Sequence, residues 1–320
     1  MPILKLKPAT KDYLWGGDKL KRIYNKHSDT EKLAETWELS CHKDGLSIIS
    51  QGEYKDKSLK EYLDINPSSL GSNCDKFEQF PILIKLIDAS DRLSIQVHPD
   101  NEYGLSVEGE YGKTEMWVVL DCDEGAELIY GFKHEISKQE FEKRIKNNTL
   151  LEVVNSVPVK KGDVFFIDAK TVHAIGKGIV IAEIQQNSNT TYRIYDYGRK
   201  GADGKTRELH IDKALEVTNL FPPKRKIGAF GEAEQLDGYK MTLLGTCEYF
   251  NVNRLDIKTQ AKINITDKSF HSLLVINGSV EVNLNGDITT LTKGDCCFIP
   301  AENNVYEIKG ESEIILTDIV

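Results

Sequence analysis

No apolar stretch of this 320-residue chain approaches the ~20 residues that a membrane-spanning helix needs. The opening residues, MPILKLKPATKDYLWGG, contain no apolar signal core. No basic run stands out either. The 41 Lys and Arg are outnumbered by 50 Asp and Glu, a net charge of −9, so the long-range field disfavours nucleic acid and anionic membrane surfaces. An anionic small substrate would need a local cationic pocket. The six cysteines, at positions 41, 74, 122, 247, 296 and 297, show neither C-x-x-C spacing nor the density of a disulfide framework. They read as reduced thiols, and a cytoplasmic protein is expected. Cys296 and Cys297, adjacent in GDCCFIP, would point to opposite faces of a strand and read as packing residues.

Helical signals are few. SLKEYLDINP opens with a capping box, Ser58 and Glu61; SKQEFEKRIKNNTLLEVV opens with another, Ser137 and Glu140; HIDKALEVTNL is a third helix. Short alternating or apolar runs bounded by Gly, Asn and Asp dominate instead, among them EMWVVL, DVFFID, GIVIAEIQ and EIILTDIV. That is the pattern of a mainly β protein built as a sandwich or barrel. The hydrophobic content of 40% and charged content of 28% are those of an ordinary globular protein. The Pro-, Gly- and charge-rich segment FPPKRKIGAFGEAEQLDG, residues 221–238, breaks the pattern and sets an expected boundary near residue 232. KKGDVFFIDAKTVHAI before it resembles TKGDCCFIPAENNVYEI after it, with Gly162-Asp163 aligned on Gly294-Asp295 and Ile167 on Ile299. Two copies of one β element predict two related domains, residues 1–232 and 233–320, the first with a small helical insertion at about residues 135–155.

One stretch raises a chemical question. SIQVHPD, residues 94–100, follows the apolar run FPILIKLIDAS and reads as a buried strand ending at Pro99. Ser94, Gln96 and His98 then share one face of it. Polar groups lining a buried face need partners.

The second copy of the repeat, G-D-x-x-F-I-P, resembles the second signature of the cupin jelly roll. Counted from Gly162, that signature's positions reach Asp168, Lys170 and His173, so its Gly and its metal-binding His survive in the first domain. Counted from Gly294 they reach Pro300, Glu302 and Val305, where the His is gone. Gln96-Val97-His98 resembles the H-x-H of the first signature with its first His replaced. Glu115 stands where the Glu would be, and Cys122 where the Gly would be; in the second domain His271 takes the Glu position ahead of Gly278. The resemblance thus implies two cupin-type jelly-roll sandwiches, one competent for metal and one that has lost its site. Taken together, LIKLIDASDRLSIQVHPD, GKTEMWVVL, KTVHAIG and TTYRIYDYGR, with LWGG and AETWELS near the start, are similar to the type I mannose-6-phosphate isomerases in their short bacterial form.

The resemblance implies a zinc-dependent aldose–ketose isomerase of hexose 6-phosphates, with one Zn²⁺ per chain, a phosphosugar substrate, and a monomeric or homodimeric state. His98, Glu115 and His173 are the implied metal ligands, with the Gln96 amide oxygen as a fourth. Two imidazoles and a carboxylate on adjacent strands hold a divalent ion with positions left open, and the same set also suits non-haem iron. Arg193, in TTYRIYDYGR, matches the arginine given a catalytic role in the family. Lys113, two residues before Glu115, is a second cation for the reacting oxygens or for a proton relay. The base stays open between a metal-bound water, Lys113 and a group such as Glu183. Ser94 is expected to contact substrate; Arg199, Lys200 and Arg207 are further candidates for the phosphate. Trp15 with its two following glycines suggests a tight turn near the site, as sugar platform or as core. A cupin dioxygenase using iron and a non-catalytic sugar-binding regulator are the rival readings. The first has no inherent use for Lys113, Arg193 and Gln96, and the second leaves the intact first-domain site unexplained.

Overall fold

A computed structural model of the chain describes residues 1–201 and 204–320. Its centre is a sandwich of two antiparallel sheets. The six-stranded sheet runs, in spatial order, Val164–Ile167, Glu115–Cys122, Ile179–Gln186, Ile82–Ala89, Glu35–Leu39 and Ala9–Lys11. The five-stranded sheet runs Val154–Pro158, Glu127–Phe132, His173–Ala174, Ile95–Val97 and Tyr192–Tyr195. A ten-stranded sheet forms most of the remainder, its long strands being His271–Leu284 and Asn304–Asp318.

The period of two along each strand sorts residues between layers. On Glu115–Cys122, Met116, Val118 and Leu120 join Leu244, Phe250 and Phe298 in the core facing the C-terminal lobe. Trp117 and Val119 turn the other way, against Leu128 and Tyr130 of the five-stranded sheet. Both faces are covered, which is why EMWVVL carries no alternation of polarity. The five-stranded sheet does alternate. Ile95, Val97, Ala174, Tyr192 and Ile194 pack outward against Phe141, Ile145 and Ala214 of the helices Lys138–Lys146 and Ile211–Val217. Their neighbours Gln96, His173 and Arg193 therefore turn into the sandwich.

The apolar run and SIQVHPD are two strands rather than one. Ile82–Ala89 lies in the six-stranded sheet and Ile95–Val97 in the five-stranded sheet, with a bend at Ser90 and Asp91 carrying the chain across. The helices fall where their caps predict. Ser58 and Glu61 make a full capping box before Leu59–Ile65, and Ser137 Oγ accepts from the Glu140 N–H at the start of Lys138–Lys146.

The repeat has a shared geometry. Gly162 and Gly294 sit at φ +92° and +94°. The following aspartates each take the N–H three residues back, Asp163 from Lys160 at 2.9 Å and Asp295 from Thr292 at 2.7 Å. Glu115 pairs with Ile167 in the first copy as His271 pairs with Ile299 in the second. The molecule is mainly β, of cupin architecture. The ten-stranded sheet also recruits Leu4–Lys7, paired on Cys296–Ile299, and beyond it Ile48–Ile49.

Candidate metal centre and active-site cavity

The polar face of SIQVH points at the opposing sheet. Gln96 is the register partner of both His173 and Arg193 on the flanking strands, and residues directly opposite in an antiparallel pair share a face. His98 follows one pleat on, just past the strand end. Glu115 reaches across from the first position of its strand in the six-stranded sheet. The three expected ligands meet: His98, Glu115 and His173 each offer an atom within 4.8 Å of the others, and all three are buried. Among the described residues this is the one such group of His, Cys, Asp and Glu.

The Nε2 atoms of His98 and His173 lie 3.1 Å apart. Glu115 Oε2 is 3.6 Å from the first and Oε1 is 3.3 Å from the second. The other ring nitrogens face backbone carbonyls, His98 Nδ1 at 2.9 Å from Thr190 O and His173 Nδ1 at 2.8 Å from Thr171 O. A carbonyl only accepts, so each Nδ1 carries the proton and each Nε2 presents a lone pair. Two lone pairs at that distance repel, and of the buried Glu115 oxygens Oε2 meets only the Lys113 ammonium while Oε1 has no hydrogen-bond donor. A cation between the three side chains would satisfy both imidazole lone pairs and the carboxylate at once. Burial, and then the Lys113 charge, hold His98 well below the usual histidine range; burial takes His173 down to about 4. Burial, and then the nearby Glu183, push Glu115 up to about 8. Each charged form is costly here, and a dication would offset that cost for the carboxylate while needing the imidazoles neutral.

Beside the triad lies a cavity of about 300 Å³ that Gln96, Lys113 and Arg193 line, together with Ser94, Trp15 and Arg207. Four cations, Lys85, Lys113, Arg193 and Arg207, face it against two carboxylates, Glu35 and Glu183. This is the local cationic pocket that the net negative charge of the chain requires for an anionic substrate. Lys113 Nζ is 3.3 Å from Glu115 Oε2 and 3.9 Å from Glu183 Oε1. Arg193 does not pair with Asp196 or Glu183. Its Nη1 donates to Glu208 O at 2.9 Å, and its Nε is buried with no partner among the described residues. Asp196 is taken instead by Arg199 and Arg207. Arg199 and Lys200 do not line the cavity, whereas Arg207 does. Trp15 is both core and wall, packed in the sandwich interior with its ring centroid 5.6 Å from that of Tyr13, the two rings tilted, at the cavity edge.

Lys85 and Glu35 are cavity residues that the sequence reading does not single out. Lys85 pairs with Glu183 at 3.3 Å and Glu35 at 3.7 Å. Trp37 and Trp117 each donate an indole N–H, to Glu35 and Glu183 at 2.8 and 2.9 Å. Burial opposes ionisation of Glu183, but Lys113 and Lys85 outweigh it and hold the carboxyl below its ordinary range. The signal for Lys85 was present: a lysine inside ILIKLIDA, a strand buried along its whole length, must have partners.

In the second domain the equivalent positions hold no such group. His271 Nδ1 is 2.9 Å from the Tyr306 hydroxyl, and Val305, in place of a ligand histidine, is 45% exposed.

Known proteins place this architecture. Residues 3–115 match the phosphomannose isomerase type I catalytic-domain family, and residues 240–319 match the mannose-6-phosphate isomerase cupin-domain family. The chain is 37% identical to a mannose-6-phosphate isomerase of Streptococcus mutans over 94% of its length and 93% of that protein. It is 35% identical to one from Bacillus subtilis over 99% and 98%. The crystal structure of the mannose 6-phosphate isomerase from Bacillus subtilis superposes with a TM-score of 0.91 at 34% identity, covering 99% of both chains. Structures from Salmonella typhimurium share the fold at a TM-score of 0.81 and 16% identity. This chain is an isomerase of the type I phosphomannose isomerase family.

Proposed function

We propose that the protein interconverts mannose 6-phosphate and fructose 6-phosphate through a cis-enediol, at a single Zn²⁺ held by His98, Glu115 and His173 with the Gln96 amide oxygen completing the set. The observation that carries the reading is the convergence of two imidazole lone pairs and a buried carboxylate beside a cavity with surplus positive charge. Two nitrogens and a carboxylate oxygen are a donor set zinc accepts with positions to spare. The ion would supply Lewis-acid stabilisation of the oxygens at C1 and C2.

The chain's own groups do the rest. Arg193 presents a buried N–H without an acceptor, poised for the negative charge that develops on those oxygens. Lys113 stands beside Glu183, whose Oε1 it shares with the Lys85 ammonium. We assign to this pair the transfer of the proton between C1 and C2. Ser94 and Arg207 take the phosphate at the cavity wall. Trp15 and Leu93 form an apolar side of the cavity that limits water around the reacting carbons. A charged sugar phosphate is confined to the compartment that makes it, and the six free thiols fit a reducing one, so the reading places the enzyme in the cytoplasm. Among the described residues no helix is long and apolar enough to cross a membrane. The same reading takes residues 1–232 as the catalytic unit and 233–320 as the domain without metal.

The test is an assay of mannose 6-phosphate conversion before and after chelation. Activity should vanish with the chelator and return with Zn²⁺ added at one equivalent per chain. Full turnover in a chelated, metal-free sample would remove the reading.

A further inference from the structure

Glu110 is the meeting point of two surface segments and the turn that orients His98. Its side chain is 18% exposed. Oε2 accepts from the Asn189 N–H at 3.1 Å, from the Thr190 hydroxyl at 3.2 Å and from the Ser188 hydroxyl at 3.5 Å. Oε1 meets Lys43 Nζ at 3.0 Å and His42 Nε2 at 3.6 Å. The tautomer of His42 follows from its other nitrogen, which accepts the Asp44 N–H at 3.1 Å; the proton is therefore on Nε2, facing Glu110. Asp44 in turn accepts from Asn189 Nδ2 at 2.9 Å. Residues 188–190 are thus gripped from two sides. Within this turn the Thr190 carbonyl receives His98 Nδ1, and Asn189 and Thr191 line the cavity.

We propose that Glu110 is a positioning residue for the metal centre: by fixing the 188–190 turn it sets the Thr190 carbonyl that aims His98, and with it one wall of the substrate cavity. The inference rests on the proposed role of His98 as a metal ligand. A carbonyl that holds a ligand imidazole by its second nitrogen fixes the ring's direction, and loss of such outer partners lowers metal affinity by roughly 10–100-fold. Free to rotate, the turn would let the His98 ring swing and Asn189 move into or out of the cavity. One change then weakens the metal and the substrate together.

The experiment measures Zn²⁺ affinity by competition with a chromophoric chelator, with kcat, KM and Tm on the same samples. Glu110→Ala should weaken Zn²⁺ binding about tenfold or more, raise KM and lower kcat. Glu110→Gln keeps an acceptor for the Asn189 N–H and should recover to within about threefold of wild type, a rescue that a loss of bulk stability alone does not produce. Thr190→Val removes only the hydroxyl link; it should weaken Zn²⁺ by about threefold or more with Tm unchanged, and it carries the test if Glu110→Ala does not fold. Zn²⁺ affinity and KM within about twofold of wild type in the folded variants would overturn the inference. His98→Ala is the control: if it binds Zn²⁺ like wild type, the metal-centre reading itself falls. If it loses the metal while the Glu110 and Thr190 variants keep theirs, only the positioning role falls.

Discussion

Removing one imidazole from the triad should cost the metal rather than the fold. His173→Ala leaves His98, Glu115 and the weak neutral amide oxygen of Gln96, and the purified variant should contain almost no zinc by elemental analysis; normal zinc content would show the ligand set to be wrong. Arg193→Ala should do the opposite. Among the described residues its Nε has no partner to lose and its Nη1 holds only the Glu208 carbonyl, not a residue of the triad, so zinc should stay while kcat falls by about 10²–10³, the usual cost of deleting one donor to a developing oxyanion. Retained turnover would take Arg193 out of the chemistry. A third residue reports on pH. Burial raises the Asp318 carboxyl from 3.8 to about 6, and its hydrogen bond from Asn251 only partly compensates. A raised carboxylate pKa means the folded state holds a proton that the unfolded chain has released, so stability falls as pH rises from about 4 through about 6. At ~1.4 kcal/mol per unit the loss is at most about 3 kcal/mol, less what solvent screens. Asp318→Asn should therefore raise Tm at pH 7.5, with the gain shrinking toward pH 4; an equal gain at both would place its cause elsewhere. At this scale the cluster of His98, Glu115 and His173 was legible because offsets in the cupin signatures and the alternation in SIQVH name individual residues. Lys85 was signalled only as a buried lysine in need of partners, and which partners it takes was not written in the run; Glu35 gave no signal, because beside Trp37 a charge reads as a strand edge until its cross-strand partners are known. The Glu110 grip was equally hidden, because it joins three loops far apart in sequence whose approach no local pattern encodes.

Among elements, the glycine turn that opens each copy of the repeat separates conformation from crowding. Gly162 and Gly294 share a left-handed φ that an L side chain adopts only with strain. Around Gly162 a methyl group would meet nothing within 4 Å, whereas at Gly294 it would lie 2.2 Å from the Tyr24 carbonyl oxygen. Gly162→Ala should cost roughly 1–2 kcal/mol, the conformational penalty alone. Gly294→Ala should cost distinctly more, since backbone must shift to admit the methyl group. Urea unfolding of the two variants compares them directly, and equal losses would mean that the Tyr24 segment yields freely. The repeat itself was visible as similar sequence, and the helices as capping residues, because both signals are local. What the sequence hid was the crossing between sheets at Ser90 and Asp91. Two apolar strands joined by a short polar bend look like one strand until the register assigns them to opposite layers.

On the scale of the whole molecule the two repeats are not independent beads. The largest apolar core joins Met116, Val118 and Phe166 of the N-terminal sandwich to Leu244, Phe250, Leu274 and Phe298 of the C-terminal lobe. A strand from the extreme N-terminus, Leu4–Lys7, extends the C-terminal sheet. At the same junction Lys26 donates to Glu38 at 2.6 Å and to the Gly294 carbonyl, and Thr36 also donates to Glu38. Glu38 is fully buried and burial raises its pKa. An ion pair in such a place adds little net stability, but taking away one partner strands the other charge, at about 3–5 kcal/mol. Lys26→Met should therefore lower Tm by about 5 °C in a chain of this size. It should do so in a single calorimetric transition that moves as a whole, since the core it abuts belongs to both lobes. Lys26→Met with Glu38→Gln removes the stranded charge, keeps an acceptor for Thr36, and should recover more than half of the loss. Two separate transitions, one shifted and one not, would show that the lobes unfold independently. A double variant no better than the single would show that the damage lies in packing and not in the buried carboxylate.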